Sequence, residues 1–254
     1  MATYKKRGYK PKNKAEELIE ERHDSATAEV FSTLDESASK TEAWVSKNQN
    51  YILGIIGVIA LGVLAYLAYG RFVQEPKEAT AANDLYYPQQ YFDQSLINEE
   101  AKDSLLTLAL NGSEGKFGFL DIIEEYKGTK AANLANYSAG MAYLKLQNYQ
   151  EAISHLEKFS SDDEIFNALA AGGIGDAFSQ LNQPEEALDY YEKAVSVAGD
   201  NDFSAPLYLY KAGIAALNLN QKDKASGFFE RIKEDYPNSQ EANNIDVLIG
   251  QSKS

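Results

Sequence analysis

Few residues in this sequence have the types and spacing that chemistry needs. Residues 170–177 read AAGGIGDA, and Gly172, Gly173 and Gly175 have the smallness of a loop that cradles phosphate. Such a loop follows a strand and opens a helix. Here the run lies inside a helical pattern with no strand before it, so close helix packing explains it better. Gly112 to Lys116 lacks the Ser or Thr that must follow the lysine of a nucleotide-binding loop. Asp200-Asn201-Asp202 and Ser160-Ser161-Asp162-Asp163 carry oxygen donors of the kind calcium takes, but read more simply as solvated helix ends. The two histidines, His23 and His155, lie on opposite sides of an apolar run, and His155 reads as a surface residue. There is no cysteine, which removes disulfides, thiolate metal sites, cysteine nucleophiles and acylation of an N-terminal cysteine. Its absence fits an oxidising compartment. No two titratable groups are marked out as acid and base. The expectation is a non-enzyme with no catalytic residue, metal or cofactor.

What the chain does carry is Tyr51 to Gly70, YILGIIGVIALGVLAYLAYG, 20 residues without a charge between Lys47 and Arg71. At about 1.5 Å per residue, a helix of this length spans roughly 30 Å, the thickness of a bilayer's hydrocarbon core. Trp44, Tyr51, Tyr66, Tyr69 and Phe72 stand near its ends, where rings with one apolar and one wet side belong. The other segments are amphipathic or polar and could not enclose a helix apolar all round. At 100° per residue, Gly54, Gly57, Ala65 and Ala68 share one arc, with Leu61 at its centre. Small side chains there would let another membrane helix approach closely. The strict G-x-x-x-G spacing is absent, and glycine and alanine scattered through a simple anchor is the alternative.

The net charge of −14 is unevenly placed. Residues 1–50 carry nine basic and nine acidic side chains; residues 71–254 carry fifteen basic and twenty-nine acidic. An acidic domain of this kind repels nucleic acid and anionic lipid heads, which excludes nucleic-acid binding. The apolar run begins after a long charged segment, so an uncleaved signal anchor is expected rather than a cleaved leader. Lys5, Lys6, Arg7, Lys10, Lys12 and Lys14, with Lys40 and Lys47 nearer the run, put residues 1–50 in the cytoplasm; Arg71 argues slightly the other way. Residues 71–254 are then expected across the membrane.

In chain order, Met1 to Lys14 is expected to be disordered. EELIEER reads as a short charged helix, and Val30, Phe31, Leu34, Ala38 and Val45 recur at helical spacing. Residues 71–78 are expected to form a stalk, with Pro76 breaking the anchor helix. Helices are predicted over Thr80–Phe92, Ser95–Leu110 and Phe119–Tyr126, with the loop NGSEGKFG before the last. Three segments then align without gaps, from Asn133, Ala168 and Pro206. In each, a glycine (Gly140, Gly175, Gly213) precedes an alanine (Ala152, Ala187, Ala225) by twelve residues. A polar pair breaks each segment: Gln147-Asn148, Asn182-Gln183 and Asn220-Gln221.

This pattern resembles the tetratricopeptide repeat, with units near 133–163, 168–200 and 206–237, Pro237 closing the third, and a capping helix Ser239–Gln251. The signature tryptophan is missing, and Ala216 replaces an aromatic residue in the third unit. The resemblance implies an all-α fold, one N-terminal transmembrane helix followed by an α-solenoid of helix pairs over residues 79–254, with 79–130 as a degenerate repeat or cap. The glycines and alanines above would be the close-packing positions. The groove positions carried over from the family are Tyr137, Met141 and Leu144, then Asp176 and Ser179, then Tyr210, Ile214 and Leu217. Tyr137 and Met141 stand where the family's carboxylate clamp needs lysine and asparagine, so a cochaperone of that kind is not expected.

A short cytoplasmic tail, one anchor and an acidic exported repeat domain is similar to the YfgM-type ancillary subunit of the bacterial Sec translocon. The resemblance implies an inner-membrane protein with its repeats in the periplasm. Its partners would be membrane proteins, either the translocon or a periplasmic chaperone or prolyl isomerase, together with secretory polypeptides. Two alternatives stand beside it: a structural scaffold in envelope or secretion-machinery assembly, and an organellar import receptor, whose cytosolic repeats the charge distribution fits poorly.

Overall fold

The computed structural model describes the backbone of residues 14–254 and the side chains of residues 42–254. The basic tail expected to be disordered lies outside the described residues except for Lys14, as do the side chains of His23, Val30, Phe31, Leu34 and Ala38. Every regular element among the described residues is a helix.

The chain divides after Tyr69 into two units. The first contains α1 (Lys14–Tyr69), a single helix that includes the charge-free run. It is long and apolar enough to cross a membrane, and none of its apolar stretch is buried. Leu61 is 68% exposed. The small residues Gly54 and Gly57 have nothing within 4 Å of where a Cβ would stand.

The second unit, Gly70–Ser254, begins with one π-helical turn, Gly70–Gln74, and α2 (Glu75–Asp84). The expected stalk is therefore helix. Pro76 lies in the first turn of α2, where an N–H has no intrahelical acceptor to lose, so it opens a helix instead of breaking one. The next two helices also differ from those predicted, while the third begins at Phe119 as predicted. They are α3 (Tyr86–Ile97), α4 (Lys102–Asn111) and α5 (Phe119–Glu125). Pro88 offers no N–H to the carbonyl of Asp84, which interrupts the ladder between α2 and α3. Asn98 ends α3, its Oδ1 accepting from the Ala101 N–H at 3.1 Å in a side-chain turn. Leu106, Leu110, Phe119 and Ile122 form a core against Ala135, Ala139 and Ala142 of the next helix.

Three helix pairs then follow: α6 (Lys130–Lys145) with α7 (Tyr149–Leu156), α8 (Glu164–Gln180) with α9 (Pro184–Ala198), and α10 (Ser204–Asn218) with α11 (Lys222–Asp235). Each first helix stops the same way. Gln147, Asn182 and Asn220 take left-handed φ values of 62°, 57° and 57°. The next N–H reaches back to the carbonyl five residues earlier: Asn148 to Tyr143, Gln183 to Phe178, Gln221 to Ala216. This closing motif satisfies carbonyls a helix end leaves free, and the asparagine at two of the three positions is the residue that tolerates the conformation best after glycine. Ala152, Ala187 and Ala225 are buried where the second helix of each pair crosses the first.

The last helix is shorter than the predicted 239–251: α12 is Ile245–Lys253. Residues 239–244 turn instead, with Asn244 left-handed at φ 62°. Ile245 is buried, and Lys233–Asp246 and Lys253–Glu230 ion pairs tie α12 to α11.

His155 corrects the surface reading. It is 9% exposed, its Nδ1 lies 3.1 Å from Asn136 Oδ1, and its ring stacks on Tyr143. A period count cannot detect this, because the partner lies 19 residues earlier on the neighbouring helix.

Candidate functional site

The groove positions come from the first helices of the pairs, α6, α8 and α10. A cleft of about 400 Å³ opens between the first two pairs, lined by Leu144, Lys145, Tyr149, Asp176, Ser179 and Tyr191 among others. Leu144, Asp176 and Ser179 are thus brought together. The remaining groove positions are turned into packing. Tyr137 packs tilted against Phe159 and edge-on against Phe166, with centroids 5.1 and 5.4 Å away. Met141 Sδ lies 3.4 Å from where a Cβ on Gly173 would stand, against the backbone of α8. Tyr210 meets Phe229 edge-on at 6.4 Å, and Ile214 and Leu217 are half-buried against the same core.

Asp176 is the centre of the polar floor. Lys211 Nζ donates to both of its carboxylate oxygens at 2.7 Å, and the Tyr191 hydroxyl donates to Oδ1 at 2.8 Å. The ammonium also lies 5.9 and 5.8 Å from the ring centroids of Tyr191 and Tyr208, an arrangement that favours a cation. Burial, then the Asp176 charge, raises the pKa of Tyr191 and of Tyr208. Both hydroxyls therefore stay protonated, and Tyr191 is a fixed donor. Gly172 makes the cluster sterically feasible: a Cβ there would lie 1.9 Å from Cε1 of Tyr208. The glycine-rich run in α8 is thus a seat for an aromatic ring.

Lys211, Tyr191 and Tyr208 are the residues around Asp176 that sequence reasoning missed. The paired glycines of α8 were the available signal for close packing, but nothing local marks Lys211 as the counter-ion of a carboxylate 35 residues earlier.

The other stretches weighed for chemistry resolve locally. The turn 112–118 closes on itself, Ser113 and Lys116 exchanging both backbone bonds at 3.2 and 2.8 Å. Asp163 caps α8 by accepting from the Ile165 N–H, and Asn201 accepts from Phe203 and Ser204 at the start of α10. Among the described residues, no group of three or more His, Asp or Glu is placed to hold a metal ion. The cleft offers hydroxyl, amide and carboxylate groups on a helical floor.

Residues 137–203 and 208–239 each match a tetratricopeptide repeat family. No curated protein matches the chain. The repeats make this part of the chain a protein-interaction module.

Proposed function

We propose that this tetratricopeptide-repeat chain is a non-enzymatic adaptor held in the bacterial inner membrane by residues 51–70. Its repeat domain stands in the periplasm, where it assists secretory or periplasmic protein biogenesis as an ancillary subunit of the Sec translocon. The observation that carries this reading is the joining of an uncovered, charge-free helix to three helix pairs with a polar cleft. A protein-binding domain on a membrane anchor acts on polypeptides that pass close to the bilayer. The acidic domain and basic tail favour the orientation with residues 71–254 outside the cytoplasm. Gly54, Gly57, Leu61, Ala65 and Ala68 would supply the helix-packing face toward a membrane partner such as the translocon or an anchored prolyl isomerase. Leu144, Asp176 and Ser179 would meet the polypeptide.

Photoreactive side chains at Gly57 and Ser179 in living cells, followed by mass spectrometry of the adducts, test this. The span position should yield translocon subunits or a membrane-anchored periplasmic chaperone, and the cleft position secretory chains. Adducts confined to cell-wall or secretion-machinery components would support an envelope scaffold and overturn the translocon role.

A further inference from the structure

The second helix of the first pair is short. α7 has 8 residues, where α9 has 15 and α11 has 14. From aligned starts at Tyr149 and Pro184, α7 stops about two turns before α9 does. In α9 those turns carry Ala194, Val195 and Ala198, all buried in the core. The first pair has a loop there instead, and the first half of α8 lacks the cover that a longer α7 would give. A cavity of about 460 Å³ opens at this place. The buried side chains of Leu156, Ala170, Ala171 and Ile174 line it, together with Phe159 and Val197.

The loop is fixed from both sides by side-chain amides. Asn133 of α6 donates to the Ser160 carbonyl at 2.7 Å and accepts from the Ser160 N–H at 3.2 Å. Asn167 of α8 does the same with Ser161, at 2.6 and 2.9 Å. These four bonds keep the loop from collapsing into the cavity, so the site is preorganised. The exposed part is polar. The Tyr190 hydroxyl donates to Glu157 Oε1 at 2.9 Å, and Lys193 Nζ lies 5.5 Å from the centroid of the same ring. Burial, then the bond to Glu157, raises the Tyr190 pKa, which keeps the proton on that bond.

A carboxylate and an ammonium thus flank one ring beside an apolar lining. A lone anion would meet Glu157, and a lone cation would meet Lys193. A peptide unit suits both, with an N–H for the carboxylate and a C=O for the ammonium. The volume falls within the range of about 300–1,000 Å³ usual for ligand sites. We infer that this cavity is a second polypeptide site, taking one large apolar side chain with its flanking peptide groups. Folded proteins bury most such side chains, so the site favours unfolded segments. It shares no lining residue with the cleft at Asp176, and it does not rest on the membrane or translocon reading.

The probe is a capped neutral pentapeptide, acetyl-Gly-Ser-(para-fluorophenylalanine)-Ser-Gly-amide, titrated with the full chain in lipid nanodiscs. Binding is read as broadening of its fluorine NMR line beyond that given by empty discs. The native chain should broaden the line. Val197→Trp, which fills the cavity, should abolish the effect, and Ser179→Tyr in the cleft should leave it intact. Glu157→Ala with Lys193→Ala keeps the apolar lining and should weaken binding about tenfold, which decides the matter if Val197→Trp fails to fold. No broadening by the native chain would overturn the site. So would loss with Ser179→Tyr and not with Val197→Trp, which would put the probe in the cleft. Phenylacetate, an anion with the same ring, should compete poorly; competition as strong as that of the unlabelled peptide would overturn the peptide assignment.

Discussion

A Cβ placed on Gly175 would stand 2.7 Å from Cδ1 of Tyr191, closer than two side-chain carbons approach. The same relationship recurs at Gly140 with Leu156, at 2.5 Å, and at Gly213 with Phe229, at 2.4 Å, always sixteen residues apart. Each glycine is the floor on which the large side chain of the pair's second helix rests. The Tyr191 ring has little freedom to retreat, because its hydroxyl is held by Asp176.

Gly175→Ala should therefore destabilise the repeat domain. Overpacking costs about 1–3 kcal/mol, against a gain in helix propensity of about 1 kcal/mol. Gly227 in α11 has nothing within 4 Å of its would-be Cβ, so Gly227→Ala should stabilise by about 0.5–1 kcal/mol. Thermal melting of the full chain in detergent, followed by helix circular dichroism, should show shifts of opposite sign. Two shifts of the same sign would mean that the glycine–ring contact does not limit the packing.

The Asp176–Lys211 pair is about one-third exposed on each side, so its net contribution should fall between that of a surface pair and a buried one. Asp176→Asn should cost about 1 kcal/mol, and Lys211→Met should cost less in the Asp176→Asn background than alone. A double-mutant cycle by urea unfolding reads the coupling. A coupling energy of zero would reduce the pair to two independent surface charges.

His155 gives the domain a pH dependence. Burial, and then Lys158, lowers its pKa below the ordinary 6.5, while Glu151 opposes the shift. The unfolded chain binds this proton more readily than the folded one, so stability is fully present above 6.5 and is lost as pH falls through the folded pKa. His155→Gln keeps an N–H for Asn136 and cannot titrate. Between pH 7.5 and 5 the native chain should lose more stability to urea than this variant does. Equal slopes would place the histidine outside the linkage.

The packing glycines and alanines were legible in the sequence because a repeated steric demand leaves a repeated small residue. The turns at Gln147, Asn182 and Asn220 were legible for a similar reason, since each breaks the apolar period with a polar pair. Pro76 was read as a breaker because its two roles differ only in whether a helix begins at the residue before it. Glu78, Tyr126 and Lys211 were invisible because their partners lie 35 to 53 residues away, and local pattern carries no record of such contacts. The groove positions lie on the first helices, as their register requires, but aromatic neighbours such as Phe159 and Phe166 draw Tyr137 into the packing and leave no local mark in the sequence.

The proposed anchor can be tested for more than tethering. Gly57 and Ala65 to leucine adds bulk to the small-residue face of the span, whereas Ala60→Leu adds it on another face. On the proposed role, the first change should release the chain from a detergent-purified complex with its membrane partner and the second should not, with insertion unchanged in both. Equal co-purification would leave the cleft as the sole contact.

The most direct measurement is membrane topology, because the anchor and the sidedness of the repeats together define the proposed role. A reporter active only outside the cytoplasm should be active when fused after Ser254 and silent when fused at Met1. The reverse pattern would place the repeats in the cytoplasm and contradict both the translocon reading and the envelope-scaffold alternative.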